Sequence, residues 1–82
     1  MNRLQYIKET YGHGAQTMVA RACDVSAMTA GRWFAQGHLP RTDLIGTTKY
    51  AEAIAQATEG LVTKEELHAD IKRSVGIEST AA

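Results

Sequence analysis

The chain has a single cysteine and a single proline, and its positive and negative charges cancel. Cys23 cannot form an internal disulfide, which is typical of a protein in the reducing cytoplasm. No stretch approaches the roughly 20 apolar residues that a membrane-spanning helix needs, and no secretory signal pattern is visible at the start. These absences predict a cytoplasmic protein with no membrane partner. The length of 82 residues predicts one small domain.

The sequence also lacks the residue patterns of catalysis and of metal binding. His13, His38 and His68 are far apart and do not have the spacing of metal ligands. The Gly12–Gly14 corner lacks the lysine of a phosphate-binding loop, so we interpret it as a plain turn. No Ser/His/Asp arrangement is discernible, and Glu65–Glu66 belong to a helix start. We therefore predict a protein that is not an enzyme and uses no metal, cofactor or small-molecule substrate.

The net charge of zero weighs against a nucleic-acid-binding protein, because neutralising phosphates favours a basic surface. The charge is nevertheless distributed unevenly along the chain. Residues 1–41 carry five basic and two acidic side chains, a net charge of +3, whereas residues 42–82 carry four basic and seven acidic ones, a net charge of −3. Only the acidic second half, residues 42–82, would be repelled by DNA, so we expect this half to point away from the DNA.

Residues 16–40 contain two short helical patterns that are separated by a three-residue turn. Ser26 is a good N-cap for the helix after the turn, and Gly37 followed by Pro40 is the usual order of residues that end a helix. Ala20 falls where the two helices should cross, and a larger side chain there would force them apart. These features are those of a helix-turn-helix. The apolar residues that recur at helical spacing are Val19, Ala20 and Cys23 before the turn, and Ala30, Trp33 and Phe34 after it.

Helical patterns also occur on both sides of this unit. A first helix is predicted from Asn2 to Tyr11, ended by Gly12, and a fourth from about Thr48 to Thr58, ended by Gly60. The segment 41–48 between the third and fourth helices has no clear period and is predicted to be a loop. The residues expected to face inward are Leu4, Ile7 and Tyr11 in the first helix, and Tyr50, Ala51, Ile54 and Ala57 in the fourth.

The best-defined helix start lies near the C-terminus. Thr63 and Glu66 have the spacing of a capping box, and Val62 can pack against Leu67 as a hydrophobic staple. Leu67 and Ile71, with Val75, give this fifth helix its apolar stripe. The sequence thus predicts an all-α fold, a small five-helix bundle that contains a helix-turn-helix. Residues 1–75 are predicted to form this domain and residues 76–82 a flexible tail.

Taken together, these features resemble those of the Cro-like repressors of phages and prophages. The resemblance rests on Ala20, the Val25–Ser26 turn, Trp33, Gly37 and Pro40. The stretch AIAQATEGLVTKEELHADI, residues 53–71, strongly resembles the C-terminal part of the YdaS-type branch of that group. Two departures are visible: Asp24 stands where the turn usually has glycine, and the segment after Pro40 is longer than in the family pattern. Asp tolerates a left-handed backbone better than most residues, so the turn is expected to survive.

The resemblance implies a lambda-repressor-like fold and a phage or prophage transcription regulator, a repressor, that binds double-stranded operator DNA. The third helix would enter the major groove of a palindromic operator while the second helix crosses the backbone. Carried over position by position, the implied base-facing residues are Ala27, Met28, Gly31 and Arg32. The phosphate-contact candidates are Gln16, at the start of the second helix, with Thr17 and Ser26, and the cations near the motif, Arg21, His38 and Arg41. Gln16 could instead be a simple helix-start residue, and any exposed cation near the motif would look the same as the other three.

Several of these assignments have simpler alternatives. Arg32 could bind guanine O6 and N7 with its guanidinium fork, or could contact only phosphate or solvent. Ala27 and Met28 can offer only apolar contact, and could equally be a short exposed stretch with no role. Gly31 costs about 1 kcal/mol in a helix relative to alanine. It would either allow the backbone to approach DNA closely or be an indifferent surface position.

Two properties of the whole molecule follow from the same reasoning. One short helix with a single polar base reader discriminates too little alone, so we predict a homodimer that reads two half-sites about 34 Å apart. Candidate dimer contacts are the apolar residues Leu44, Ile45 and Leu61, which could instead complete the small core. The neutral charge also supports a different function, in which the scaffold is an antitoxin-like or polymerase-binding protein-interaction module.

Overall fold

The computed structural model describes residues 2–75, which form five α-helices and contain no strand. The predicted all-α fold is confirmed, whereas the predicted tail, residues 76–82, lies outside the described residues. The predicted turn at Gly12–Gly14 is a short 3-10 helix, and a second 3-10 helix occupies Arg41–Asp43, within the segment predicted to be a loop. The helices are α1 (Arg3–Tyr11), α2 (Ala15–Cys23), α3 (Ala27–Gln36), α4 (Tyr50–Ala57) and α5 (Lys64–Val75).

One apolar core joins all five helices. Helix α2 is central, because it packs against α3 on one side and α4 on another, while α5 packs against α4 and reaches back to α1. The Trp33 and Tyr50 rings lie 4.8 Å apart between centroids, which ties α3 to the start of α4. No helix in the described part of the chain has both the length and the hydrophobicity to cross a bilayer. The core residues are Leu4, Ile7, Ala15, Val19, Ala20, Cys23, Ala30, Trp33, Leu39, Ala51, Ile54, Val62, Leu67 and Ile71.

The helix-start signals in the sequence are confirmed at atomic detail. The Thr29 N–H donates to the Ser26 hydroxyl oxygen over 3.1 Å, so Ser26 caps α3. In the capping box of α5, the Glu66 N–H donates to the Thr63 hydroxyl over 3.1 Å, and the Thr63 N–H donates to the Glu66 carboxylate over 2.9 Å. Each bond satisfies a backbone donor that the helix itself cannot pair.

The segment 41–48 is more ordered than a plain loop because of Asp43, which is 3% exposed. Its carboxylate accepts hydrogen bonds from the Tyr50 N–H at 2.6 Å and the Ala51 N–H at 3.2 Å, the first two residues of α4. The Thr48 hydroxyl at 2.9 Å and the His68 ring nitrogen Nε2 at 2.7 Å also donate to it. Asp43 thus caps α4 from seven residues upstream and joins it to α5.

A second buried carboxylate does the same for α1. Asp70, on α5, accepts a hydrogen bond from the Arg3 N–H at 2.7 Å and is 4% exposed. The Arg73 guanidinium pairs with its other oxygen. Both Asp43 and Asp70 are therefore placed at helix N-termini, where the macrodipole favours negative charge.

Three predictions about the helices need correction. Tyr11 was predicted to face inward but is 42% exposed, because the chain leaves α1 directly after it at Gly12, which has a φ of 67°. Ala57 is also exposed, since Thr58 takes the buried position that follows Ala51 and Ile54. The Thr58 hydroxyl is accommodated there by donating to the Ile54 carbonyl over 2.9 Å. Helix α4 begins at Tyr50 rather than at about residue 48.

Candidate nucleic-acid interface

Helices α2 and α3 are joined by a tight turn whose backbone follows from its residues. Asp24 has a φ of 56° and a ψ of 47°, the left-handed conformation that aspartate was expected to tolerate. The Val25 N–H then donates to the Ala20 carbonyl over 3.0 Å, which closes the turn. Ala20 is 6% exposed and belongs to the core, as its predicted place between the two helices requires.

Helix α3 has one face in the core and one in solvent. Ala30 and Trp33 hold the inner face, and Gly37, with a φ of 90°, ends the helix by donating its N–H to the Trp33 carbonyl over 2.8 Å. The four residues predicted to face bases lie on the other side: Ala27, Met28 and Arg32 are exposed, and Gly31 is half-buried. Met28 is 72% exposed, which is high for a large apolar side chain.

The structure accounts for the half-burial of Gly31. The Gln16 side chain, from the first turn of α2, reaches across to α3, and its Nε2 donates to the Ala27 carbonyl over 2.6 Å. A Cβ atom added to Gly31 would lie 2.9 Å from the same Nε2. Three predicted DNA-facing residues, Gln16, Ala27 and Gly31, are thus brought together, an arrangement that the sequence did not indicate.

The structure separates the predicted phosphate contacts into two groups. Thr17, Arg21 and Arg41 are exposed, and within residues 2–75 neither arginine forms an ion pair. Ser26 and His38 are engaged with the chain itself. The Ser26 hydroxyl caps α3, and His38, which is half-buried, donates from Nδ1 to the Leu39 carbonyl over 2.8 Å.

Sequence reasoning missed two polar side chains beside Gln16. Lys8, from α1, and His13, from the 3-10 turn, border the same shallow cleft as Gln16, and Phe34 contributes to its apolar wall. Their signal in the sequence is weak, because only the packing of α1 against α2 places them there. Arg3, by contrast, is turned toward α5: its guanidinium lies 3.8 Å from the Glu66 carboxylate and over the Tyr6 ring.

Cys23 is a core residue rather than a nucleophile. Burial, reinforced by the negative charge of Asp43, raises the pKa of the Cys23 thiol to about 12. A thiol with that pKa is almost entirely protonated at neutral pH and therefore unreactive. Within residues 2–75, no three histidine, cysteine or acidic side chains are grouped as a metal site would need.

Comparison with known proteins gives one informative match. No protein-family profile matches the chain, and no solved structure matches it significantly. The chain is 39% identical over 44 residues to the 8.4 kDa cro protein of Escherichia phage HK022. The matched part is 54% of this chain and 58% of that protein, so the chain spans little more than half of its relative. The YdaS-type likeness of residues 53–71 stays a prediction. Over more than half of its length, the chain is thus similar to a Cro protein of a phage, as the resemblance predicted.

Proposed function

We propose that the chain is a phage-type, sequence-specific DNA-binding regulator of transcription, and a repressor. The observation that carries the proposal is the exposed outer face of α3, which bears Arg32 and is held by a capped, closed helix-turn-helix. The similarity to a phage Cro protein supports the same conclusion. In this proposal α3 lies in the major groove, and no chemical reaction is catalysed.

Recognition would be divided between the two helices. Arg32 has the planar fork that matches guanine O6 and N7, while Ala27 and Met28 supply apolar contact, for instance to a thymine methyl group. The start of α2, with Gln16 and Thr17, would contact the phosphate backbone. We add Lys8 and His13 to the phosphate contacts, because they border the same cleft as Gln16.

The contribution of Arg32 can be measured against a matched arginine on the other helix. Arg32→Ala should cost about 1–3 kcal/mol on a site selected by the wild-type protein, and should relax the preference at one base pair. Arg21→Ala removes another exposed cation, from α2, and should weaken binding to all sequences alike. Equal losses on selected and random DNA for Arg32→Ala would reduce Arg32 to a phosphate contact.

A homodimer on a palindromic operator forms the second part of the proposal. Of the predicted dimer contacts, Leu44 and Leu61 are half-buried against the core, whereas Ile45 is 72% exposed. We therefore assign the contact to Ile45. Ile45→Lys should reduce dimerisation, as measured by sedimentation equilibrium. Thr47→Lys, which changes another exposed residue of the same segment, should not. One wild-type chain bound tightly and specifically to a full operator would contradict the dimer.

The alternative is a protein-interaction module, and the exposure of Met28 favours it. A large, exposed apolar side chain in the first turn of α3 suits a protein partner as well as a base. Under this alternative, binding to DNA would be weak, insensitive to sequence and lost at moderate salt.

A further inference from the structure

We propose that Gly31 is a positioning residue, whose missing side chain makes room for the Gln16 amide, and that this amide joins the DNA backbone to the first turn of α3. The inference rests on the proposed DNA-binding function and deepens it. It replaces both sequence-based interpretations of Gly31, since Gly31 would neither contact DNA itself nor be indifferent.

The geometry around Gly31 is specific to glycine. A Cβ atom there would lie 2.9 Å from Nε2, 3.3 Å from Cδ and 3.5 Å from Oε1 of Gln16, so the amide occupies the space that a side chain would need. A Cβ atom essentially never lies within 3.0 Å of a heavy atom from another part of the chain, so any other residue at this position displaces the amide. The displaced group is the flexible end of a side chain, and the fold itself is not strained.

Displacing the Gln16 amide breaks its hydrogen bond to α3, and the consequence depends on both hydrogens of the amide nitrogen. Nε2 carries two N–H groups, one of which donates to the Ala27 carbonyl over 2.6 Å. The second remains available for a phosphate oxygen. Gln16 can thus hold a phosphate and the start of α3 at once, which fixes the height of Ala27 and Met28 above the bases.

A double-mutant cycle tests the proposal with an operator selected by the wild-type protein. Gly31→Ala and Gln16→Ala should each weaken specific binding by roughly three- to tenfold. In the Gln16→Ala background, Gly31→Ala should have no further effect, because its target is already gone. Gly14→Ala is the matched control: its φ is −78° and no atom lies within 4 Å of its would-be Cβ, so its effect should be additive with that of Gln16→Ala.

Two further measurements separate positioning from simple damage. The melting temperature of Gly31→Ala should equal or exceed that of the wild type by up to about 5 °C, because alanine is the better helix former. In the DNA-free protein, the Gln16 side-chain amide resonances should move in Gly31→Ala and stay in place in Gly14→Ala. Unmoved resonances would overturn the proposal.

The outcomes also distinguish this inference from the function it rests on. If the losses of specific binding add in the double variant while sequence preference is retained, only the positioning role of Gly31 would be overturned. Gly31 would then be a direct DNA contact. A wild-type protein without preference for any DNA sequence would overturn the proposed function and this role together.

Discussion

Asp43 offers the sharpest stability test, since one carboxylate accepts four hydrogen bonds in a site that is 3% exposed. Asp43→Ala removes the cap of α4, which is worth about 0.5–2 kcal/mol. It also leaves the Thr48 hydroxyl and the His68 ring without their charged acceptor, and bonds to charged groups contribute about 1.5–3 kcal/mol each. These terms overlap, so we expect a loss of about 3 kcal/mol in the free energy of unfolding.

For a domain of this size, that loss lowers the melting temperature by roughly 12–24 °C, which thermal unfolding followed by circular dichroism would detect. Asp43→Asn keeps one acceptor oxygen and should lose about half as much. Glu52→Gln is the matched control, because Glu52 is an exposed acid in the first turn of the same helix. It should lose about 0.3–1 kcal/mol. A loss for Asp43→Ala no larger than that for Glu52→Gln would refute the role of Asp43.

Two further predictions concern the core beneath the proposed interface. Ala20→Glu places a charged side chain at a position that is 6% exposed and packed against neighbouring helices, so it should unfold the domain partly or wholly. A variant that melts like the wild type would mean that Ala20 is not at the crossing of α2 and α3. The pKa of Cys23 is raised from 9.0 to about 12, so the unfolded thiol ionises first and stability should fall as pH rises between these values. Alkylation of Cys23 at pH 8 should accordingly be limited by the rate of unfolding. Rapid labelling of the native protein would contradict the burial of the Cys23 thiol.

The sequence predicted those features whose causes are local. The capping box of α5 and the Ser26 cap of α3 involve residues three apart, and the left-handed Asp24 is a property of one residue. Such interactions recur wherever the spacing recurs, so they can be recognised without knowing the rest of the fold. For the same reason, α3 begins after Ser26 and ends before Gly37, as its two end signals predicted.

The features that were missed depend on residues far apart in the chain. Asp43 caps α4 across seven residues and meets His68 across 25, and no local spacing indicates either contact. Gln16 reaches Ala27 and Gly31 only because the fold brings the start of α2 beside α3. The bases and phosphates contacted by each side chain remain predictions, since they depend on a molecule outside the chain.

The central claim is that the outer face of α3 reads a DNA sequence. The most direct test compares the affinity of the wild-type protein for selected DNA with its affinity for random DNA. Sites would be enriched from a random duplex library, and affinities measured at two salt concentrations. If α3 reads sequence, selected DNA should bind at least about 10³-fold tighter than random DNA, and this preference should survive at the higher salt. Equal affinity for both DNAs, lost as salt rises, would contradict it.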